Sequence, residues 1–315
     1  MNKPTLAAVG LYSLILVSLV VCYIVFRPRT EQSQLTPPAI QPTTEQSPTT
    51  AAWMKSLPDQ TPLAELSIPG THNSAALHEP IRSTAQCQTL SIEQQLEAGV
   101  RFLDLRCRHL NDEFHLYHGI VDQRLSFSNC LATMADFLKR NPSETIIVSL
   151  KEEGQSKDNT RSFAETFLTY AQAEHWHLTP EIPKLGKSRG KLVLLRRFGS
   201  ELPLGIDATN WKSHQHHATD QLIIQDFYSP ETPEAKWLEF IKSSADKSPG
   251  KLHLNFTSAY LKRSFGVPDI RGISDPINQR LLDYLKDQTP PKKGIIIIDF
   301  ITPSIAAEII RLNGQ

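Results

Sequence analysis

Cysteine is scarce: four in 315 residues, with no Cys-x-x-Cys pair. That excludes a disulfide-stapled small fold and a zinc ribbon. Positive charge is not in excess either. Lys and Arg number 33 against 33 Asp and Glu, so the bulk attraction for phosphate that marks most nucleic-acid binders is missing, and no nucleic-acid partner is expected. A glycine-rich phosphate loop is also lacking. The first strand-like run ends Pro69-Gly70-Thr71-His72, which argues against a doubly wound nucleotide-binding sheet. What the chain does have is length and 40% apolar residues, enough for the core of one large α/β domain.

Charge is absent altogether from 6–26, a stretch of 21 residues rich in Leu, Val and Ile. As a helix at ~1.5 Å per residue it spans about 31 Å, the thickness of the bilayer's hydrocarbon layer. Lys3 precedes it, and Arg27 and Arg29 follow. The run ends Cys22-Tyr23-Ile24-Val25-Phe26 with no small-x-small cleavage site, so residues 1–5 are a short tail and 6–26 an uncleaved anchor rather than a signal peptide. Residues 27–52 hold five prolines among Thr, Gln and Ser, with no glycine and no aromatic residue. Such a segment buries too little apolar surface to fold and reads as an extended stalk. The folded domain is then 53–315, close to neutral and outside the cytoplasm on a single-pass anchor; the alternative is a secreted domain released by signal cleavage.

Eight apolar runs follow, at 63–69, 100–106, 114–118, 145–150, 191–197, 222–228, 251–257 and 294–301. Several are continuous, such as Ile295-Ile296-Ile297-Ile298, the mark of strands buried on both faces. Helical spacing appears at 127–138, capped by Ser126 or Ser128 and closed before Asn141-Pro142, and again at 163–171 and 305–312. The segments 233–243 and 276–286 each open on a proline suited to a first helical turn. Eight strands alternating with helices predict an α/β fold of the (β/α)8 TIM-barrel type, distorted, whose chemistry gathers where the strands end.

Those ends are polar. They carry His72 and Asn73, Asp104 and Arg106, His118, Lys151, Arg197, Asp226 and Tyr228, and Asp299. Two imidazoles with ordinary pKa near ~6.5 can hold opposite protonation states and serve as base and acid for phosphodiester cleavage by an internal hydroxyl. A guanidinium offers a planar double donor to phosphate oxygens. A buried carboxylate against a ring N–H fixes the tautomer. His214, His216 and His217 fit no usual zinc spacing and are expected to form a solvent-facing loop cluster, as are His175 and His177. Of Cys87, Cys107 and Cys130, one pair could be bridged, and Cys107 reads as a packing residue.

The motifs Ser67-Ile68-Pro69-Gly70-Thr71-His72-Asn73-Ser74, Val100-Arg101-Phe102-Leu103-Asp104-Leu105-Arg106, His118-Gly119 and Asn141-Pro142-Ser143-Glu144-Thr145 through Ser149-Leu150-Lys151 resemble the bacterial phosphatidylinositol-specific phospholipase C family. So do Arg189-Gly190-Lys191 through Arg196-Arg197, Gln225-Asp226-Phe227-Tyr228, Asn255-Phe256-Thr257-Ser258 and Asp299-Phe300-Ile301, in one order across about 60–312. The resemblance implies that the inositol 2-hydroxyl attacks phosphorus, releasing diacylglycerol and a 1,2-cyclic inositol phosphate. It makes His72 the general base, His118 the general acid, Asp299 the carboxylate orienting the base, and Arg106 the phosphate-binding cation. Asp104 gains a supporting electrostatic role, and Lys151, Arg197, Asp226 and Tyr228 become inositol contacts. The substrate would be phosphatidylinositol or a glycosylated anchor lipid at a membrane surface, met by a monomer.

Eukaryotic relatives use Ca²⁺ held by oxygen ligands at three of these strand ends. Two such positions here hold Arg106 and Lys151, and cations do not ligate Ca²⁺, so no cofactor is expected. The departure is Asn73. The bacterial pattern has Asp there, helping to position the second histidine, so His118 is expected to be less basic than usual. Two other readings compete: a metal-dependent glycerophosphodiesterase on a similar barrel, and a catalytically silent inositide-binding domain.

Overall fold

The computed structural model describes residues 50–171, 175–212, 214–246, 248–287 and 294–314. The expected anchor at 6–26 and the expected stalk through residue 49 lie outside the described residues. Among those described, no helix is long and apolar enough to cross a membrane. The last residues assigned to the stalk are part of the folded domain. The Thr50 hydroxyl donates to the Glu97 carbonyl at 3.2 Å, and the Ala51 carbonyl accepts from Arg101 Nη2 at 2.6 Å.

In chain order the strands are β1 (Ile68–Thr71), β2 (Phe102–Leu110), β3 (Glu113–His118), β4 (Val121–Ser126), β5 (Ile146–Glu152), β6 (Trp176–His177), β7 (Leu192–Arg197), β8 (Ile206–Asp207), β9 (His216–Ala218), β10 (Leu222–Gln225), β11 (Leu252–Phe256), β12 (Leu261–Lys262), β13 (Pro268–Asp269) and β14 (Ile295–Ile298). A parallel ladder runs β8-β7-β5-β2-β1-β14-β11-β10. No ladder joins β8 to β10 among the described residues, and β9 lies antiparallel along β10's free edge. The result is a curled α/β sheet, barrel-like and open on one side.

Continuous apolar strands make this shape because successive side chains serve two different cores. In β14, Ile295 and Ile297 pack inside the curl with Ile68, Phe102, Val193 and Leu254. Ile296 and Ile298 face outward against the helices, with Leu103, Val148 and Ile309. Every one of the four is fully buried, worth roughly 1.5–3 kcal/mol each by apolar burial. Gly70 in β1 lets the neighbouring strands close in: a Cβ there would lie 3.0 Å from Ile295 and 3.1 Å from Phe102.

The helices are α1 (Ile92–Glu97), α2 (Phe127–Arg140), α3 (Phe163–Tyr170), α4 (Leu185–Ser188), α5 (Pro233–Ser244), α6 (Arg271–Asp287) and α7 (Pro303–Arg311). The Ser126 side chain caps α2 by accepting from the Asn129 N–H, and Thr232 and Thr302 do the same for α5 and α7, whose first residues are proline.

The structure departs from the sequence expectations in four elements. The run at 63–69 is a strand only from Ile68; Leu63–Glu65 is a 3-10 turn. The run at 114–118 is no barrel strand but the return arm of a hairpin, pairing antiparallel with the outer half of β2. The barrel strand in its place is β8, two residues long in the turn-rich 202–209, too short for any periodicity to reveal. Finally, α6 starts at Arg271, not Pro276, because Ser83 Oγ accepts from the Arg271 N–H and Asp269 Oδ1 from that of Gly272, building a first turn ahead of the proline.

Candidate active site

Where β1 ends, His72 leaves the sheet, its N–H held by the Ile298 carbonyl of β14. One step beyond β14, Asp299 is almost fully buried, with its Oδ1 2.8 Å from His72 Nδ1. The charge of Asp299 and the ring's other contact settle the tautomer. Arg106 Nη2, always a donor, lies 2.7 Å from His72 Nε2, so Nε2 carries the lone pair and Nδ1–H donates to the carboxylate.

Arg106 comes from β2, whose alternation also buries Asp104 two residues before it. Asp104 is the hub of the charge network. Its Oδ2 accepts from Arg106 Nε and Nη2 at 3.1 and 3.0 Å and from the Asn73 backbone N–H at 3.2 Å; its Oδ1 accepts from Arg197 Nη1 at 3.2 Å. Burial pushes this carboxyl up, but the Arg106 and Arg197 charges outweigh it and hold Asp104 well below the ordinary carboxylate range. Arg197 is sandwiched from the other side by the Trp211 ring, 3.7 Å from its guanidinium carbon. Its neighbour Arg196 points the other way and ties down the Leu204 and Phe198 carbonyls.

β2 runs past the mouth, turns at Asn111-Asp112, and β3 brings the chain back to His118. The two rings then stand edge to face across the cavity, centroids 6.2 Å apart at 88°. His118 Nδ1–H donates to the Ala85 carbonyl at 2.7 Å, which turns Nε2 toward the opening. That carbonyl occupies the role the resemblance gave to residue 73. Asn73 acts through its backbone: at φ 42° its N–H points at Asp104, while its buried side-chain nitrogen finds no hydrogen-bond partner among the described residues. Burial and then the Arg106 charge push the His118 pKa down to about 4. The ring is less basic than a free imidazole, and desolvation and a neighbouring cation are the causes.

A cavity of about 240 Å³ lies between these groups, lined by eight of the ten expected residues: His72, Arg106, His118, Lys151, Arg197, Asp226, Tyr228 and Asp299. Asp104 and Asn73 sit behind its wall. Lys151 Nζ is 2.6 Å from Glu153, and Asp226 accepts from Trp211 Nε1 at 2.9 Å. Tyr228 keeps a third of its surface exposed, tilted 30° to Tyr260 with ring centroids 6.0 Å apart.

Residues 60–198 match the family model described as phosphatidylinositol-specific phospholipase C, X domain. A 1-phosphatidylinositol phosphodiesterase of Listeria monocytogenes is 34% identical over 278 residues, covering 83% of this chain and 84% of that protein. The chain belongs to the phosphatidylinositol-specific phospholipase C family. A Staphylococcus aureus 1-phosphatidylinositol phosphodiesterase is 27% identical, with 83% of this chain and 93% of the relative covered. The solved Listeria phospholipase C superposes with a TM-score of 0.70 at 32% identity, over 84% of this chain and 98% of that one.

Several groups around this phospholipase C site escaped the sequence reading. Glu153 is mostly buried; it pairs with Lys151 and accepts from the Gly119 N–H at 3.2 Å, beside His118. Burial raises its pKa, but Arg106 and Lys151 bring it below the usual value. Gln88 donates to the carbonyls of both His72 and Ile298, locking β1 to β14 under the base. Lys236 of α5 is fully buried and donates to Gln225 Oε1 and the Phe227 carbonyl, so it clamps the turn that presents Asp226. Burial pushes its amine down to about 7. No sequence periodicity marks these residues. A buried lysine reads as surface, and the 84–88 strut has no pattern.

The histidines outside the site do not form the expected loop cluster. His216 and His217 belong to β9, His216 pairs with Glu239, and His214 stacks on Phe227. His177 is in β6 and bonds Thr179. Cys87, Cys107 and Cys130 are all buried free thiols, so the possible bridge is not formed.

Proposed function

We propose that this protein is a phosphatidylinositol-specific phospholipase C that cleaves phosphatidylinositol, or a glycosylated form of it, without a metal cofactor. The observation that carries the reading is the pair of imidazoles 6.2 Å apart, one backed by a buried carboxylate and contacted by an arginine.

His72 Nε2 takes the proton of the inositol 2-hydroxyl, and Asp299 stabilises the imidazolium that results. In the free enzyme Arg106 occupies that lone pair. A bound phosphodiester offers the guanidinium two oxygens instead, drawing Arg106 off the base as the substrate arrives. His118 donates its Nε2 proton to the departing diacylglycerol oxygen. The anion beside it offsets the Arg106 charge that otherwise depresses it, so the acid is charged best when the substrate is present. Lys151, Arg197 and Asp226 bond the inositol hydroxyls and Tyr228 lies along the ring.

Arg106 and Lys151 stand where Ca²⁺ would need oxygen ligands, which supports metal-independent turnover. The test is phosphorus NMR of phosphatidylinositol micelles incubated with the protein, with and without EDTA. A cyclic inositol phosphate formed at equal rates in both is the expected result. A linear phosphate product lost on chelation would favour the glycerophosphodiesterase reading.

A further inference from the structure

Behind the two rings lies a thiol that the reaction does not use. Cys87 is fully buried, and its Sγ, a nitrogen of His72 and a carboxylate oxygen of Asp299 all lie within 4.8 Å of one another. A fourth donor is at hand: Cys87 Sγ is 3.7 Å from His118 Nδ1. These are one sulfur, one oxygen and two imidazole nitrogens, the donor set that zinc prefers over calcium or magnesium.

The spacing fits as well. Zinc bonds of ~2.3 Å to sulfur and ~2.0 Å to nitrogen, at a tetrahedral angle, place S and N about 3.5 Å apart. The Sγ–Nδ1 separation already comes within a few tenths of that. The His72 Nδ1–Asp299 distance of 2.8 Å has to open by about half an ångström to reach a zinc N–O spacing of about 3.4 Å.

We propose that His72, Cys87 and Asp299, with His118 in reach, form an inhibitory site for a thiophilic divalent cation of the Zn²⁺ class. The ion is not a cofactor, because the ligands it takes are the groups proposed to move protons. The balance is simple. The Cys87 thiol loses its proton to solvent. On each histidine that ligates through Nδ1, the Nδ1 proton is replaced by the metal and the ring carries its hydrogen on Nε2. For His72 that hydrogen meets the donor Arg106 Nη2, so Arg106 must leave the ring and keep only Asp104. Occupancy therefore removes the base's lone pair and breaks the phosphate-binding geometry together. One thiol proton released per ion makes affinity rise up to tenfold per pH unit while the thiol remains protonated.

The consequence for turnover rests on the phospholipase reading; the site itself rests only on its ligands, so the two are tested separately. Optical spectra of the full chain titrated with Co²⁺ report the site without any assay: a one-to-one complex with a thiolate-to-cobalt charge-transfer band is expected, displaced by Zn²⁺. Cys87→Ala, and Cys87→Ser should the first fail to fold, must lose that band. In parallel, Zn²⁺ is titrated against hydrolysis of phosphatidylinositol vesicles, each protein normalised to its own metal-free rate. The wild type is expected to be inhibited, and the Cys87 variants to need about a hundredfold more Zn²⁺, the scale on which lost metal-site partners act. Zinc inhibition unchanged by either Cys87 variant, or a cobalt complex without the thiolate band, overturns the proposal. A chain with the band but no phospholipase activity would retain the metal site and sink the enzymatic reading instead.

Discussion

The two histidines of the site are held in opposite ways. His72 stands at the end of a central strand between two charges, a buried carboxylate on one nitrogen and a guanidinium on the other. His118 stands on a hairpin outside the parallel ladder, and among the described residues the close partners on its Nδ1 are a backbone carbonyl and a weakly polar thiol. A base that must accumulate positive charge needs an anion behind it. An acid that must give up a proton at the right moment needs none, provided that the substrate itself brings the charge. The difference in support thus matches a division of labour, and it can be broken experimentally.

The largest effect is expected from removing the rings one at a time. His72→Ala should lower turnover of phosphatidylinositol about 10⁴-fold, and His118→Ala about 10²–10³-fold. An inositol phosphodiester with a nitrophenol leaving group, which departs without protonation, should restore His118→Ala to within about tenfold of wild type and leave His72→Ala inactive. Rescue of both variants, or of neither, would erase the assigned asymmetry. Next is the carboxylate. Asp299→Asn keeps the shape but lets the ring adopt the wrong tautomer, and kcat should fall about 10³-fold with little change in KM.

How much of this was readable beforehand follows from the same contrast. His72, Arg106, Lys151, Arg197 and Asp299 lie on or just after parallel strands marked by apolar runs, and because successive strand side chains point to opposite faces, a run such as Ile295–Ile298 sets where the next side chain must point. Their convergence was legible. His118 was recognised as a site residue but placed on a barrel strand, because the hairpin's alternation looks the same from sequence. Its true partner, the Ala85 carbonyl, belongs to a segment with no period, and a carbonyl carries no residue code at all. Lys236 was invisible for a different reason. Nothing local says that a lysine in an amphipathic helix will turn inward to clamp Gln225 and Phe227, since that contact is decided by residues nine and eleven positions away.

A smaller effect sharpens the comparison by making the second histidine more like the first. Asn73→Asp places a carboxylate at a buried position whose present side-chain nitrogen has no hydrogen-bond partner among the described residues. A negative charge added behind the cavity wall should raise the proton affinity of His118 by about one pH unit. The alkaline limb of kcat/KM, which reports the acid, would then move upward by the same amount. An unmoved limb would mean that residue 73 acts only through the backbone contact to Asp104.

The smallest effect concerns stability. The folded His118 has its pKa pushed down to about 4, whereas in the unfolded chain it returns to the ordinary ~6.5. Above ~6.5 neither state is protonated and the ring has no influence on pH dependence. Between that value and 4 the unfolded chain binds a proton that the folded ring refuses, so stability must fall as pH falls. Full linkage would reach a few kcal/mol; the ring's partial contact with solvent reduces this to about 1 kcal/mol. Carboxylates titrate in the same window, so the informative quantity is a difference. Urea unfolding at pH 7 and pH 5 should show the wild type losing about 1 kcal/mol more than His118→Gln, which has nothing to protonate there. Equal losses would place His118 in water in the free enzyme. The acid would then have its ordinary proton affinity before the substrate arrives, and the contrast between the two rings would rest on position alone.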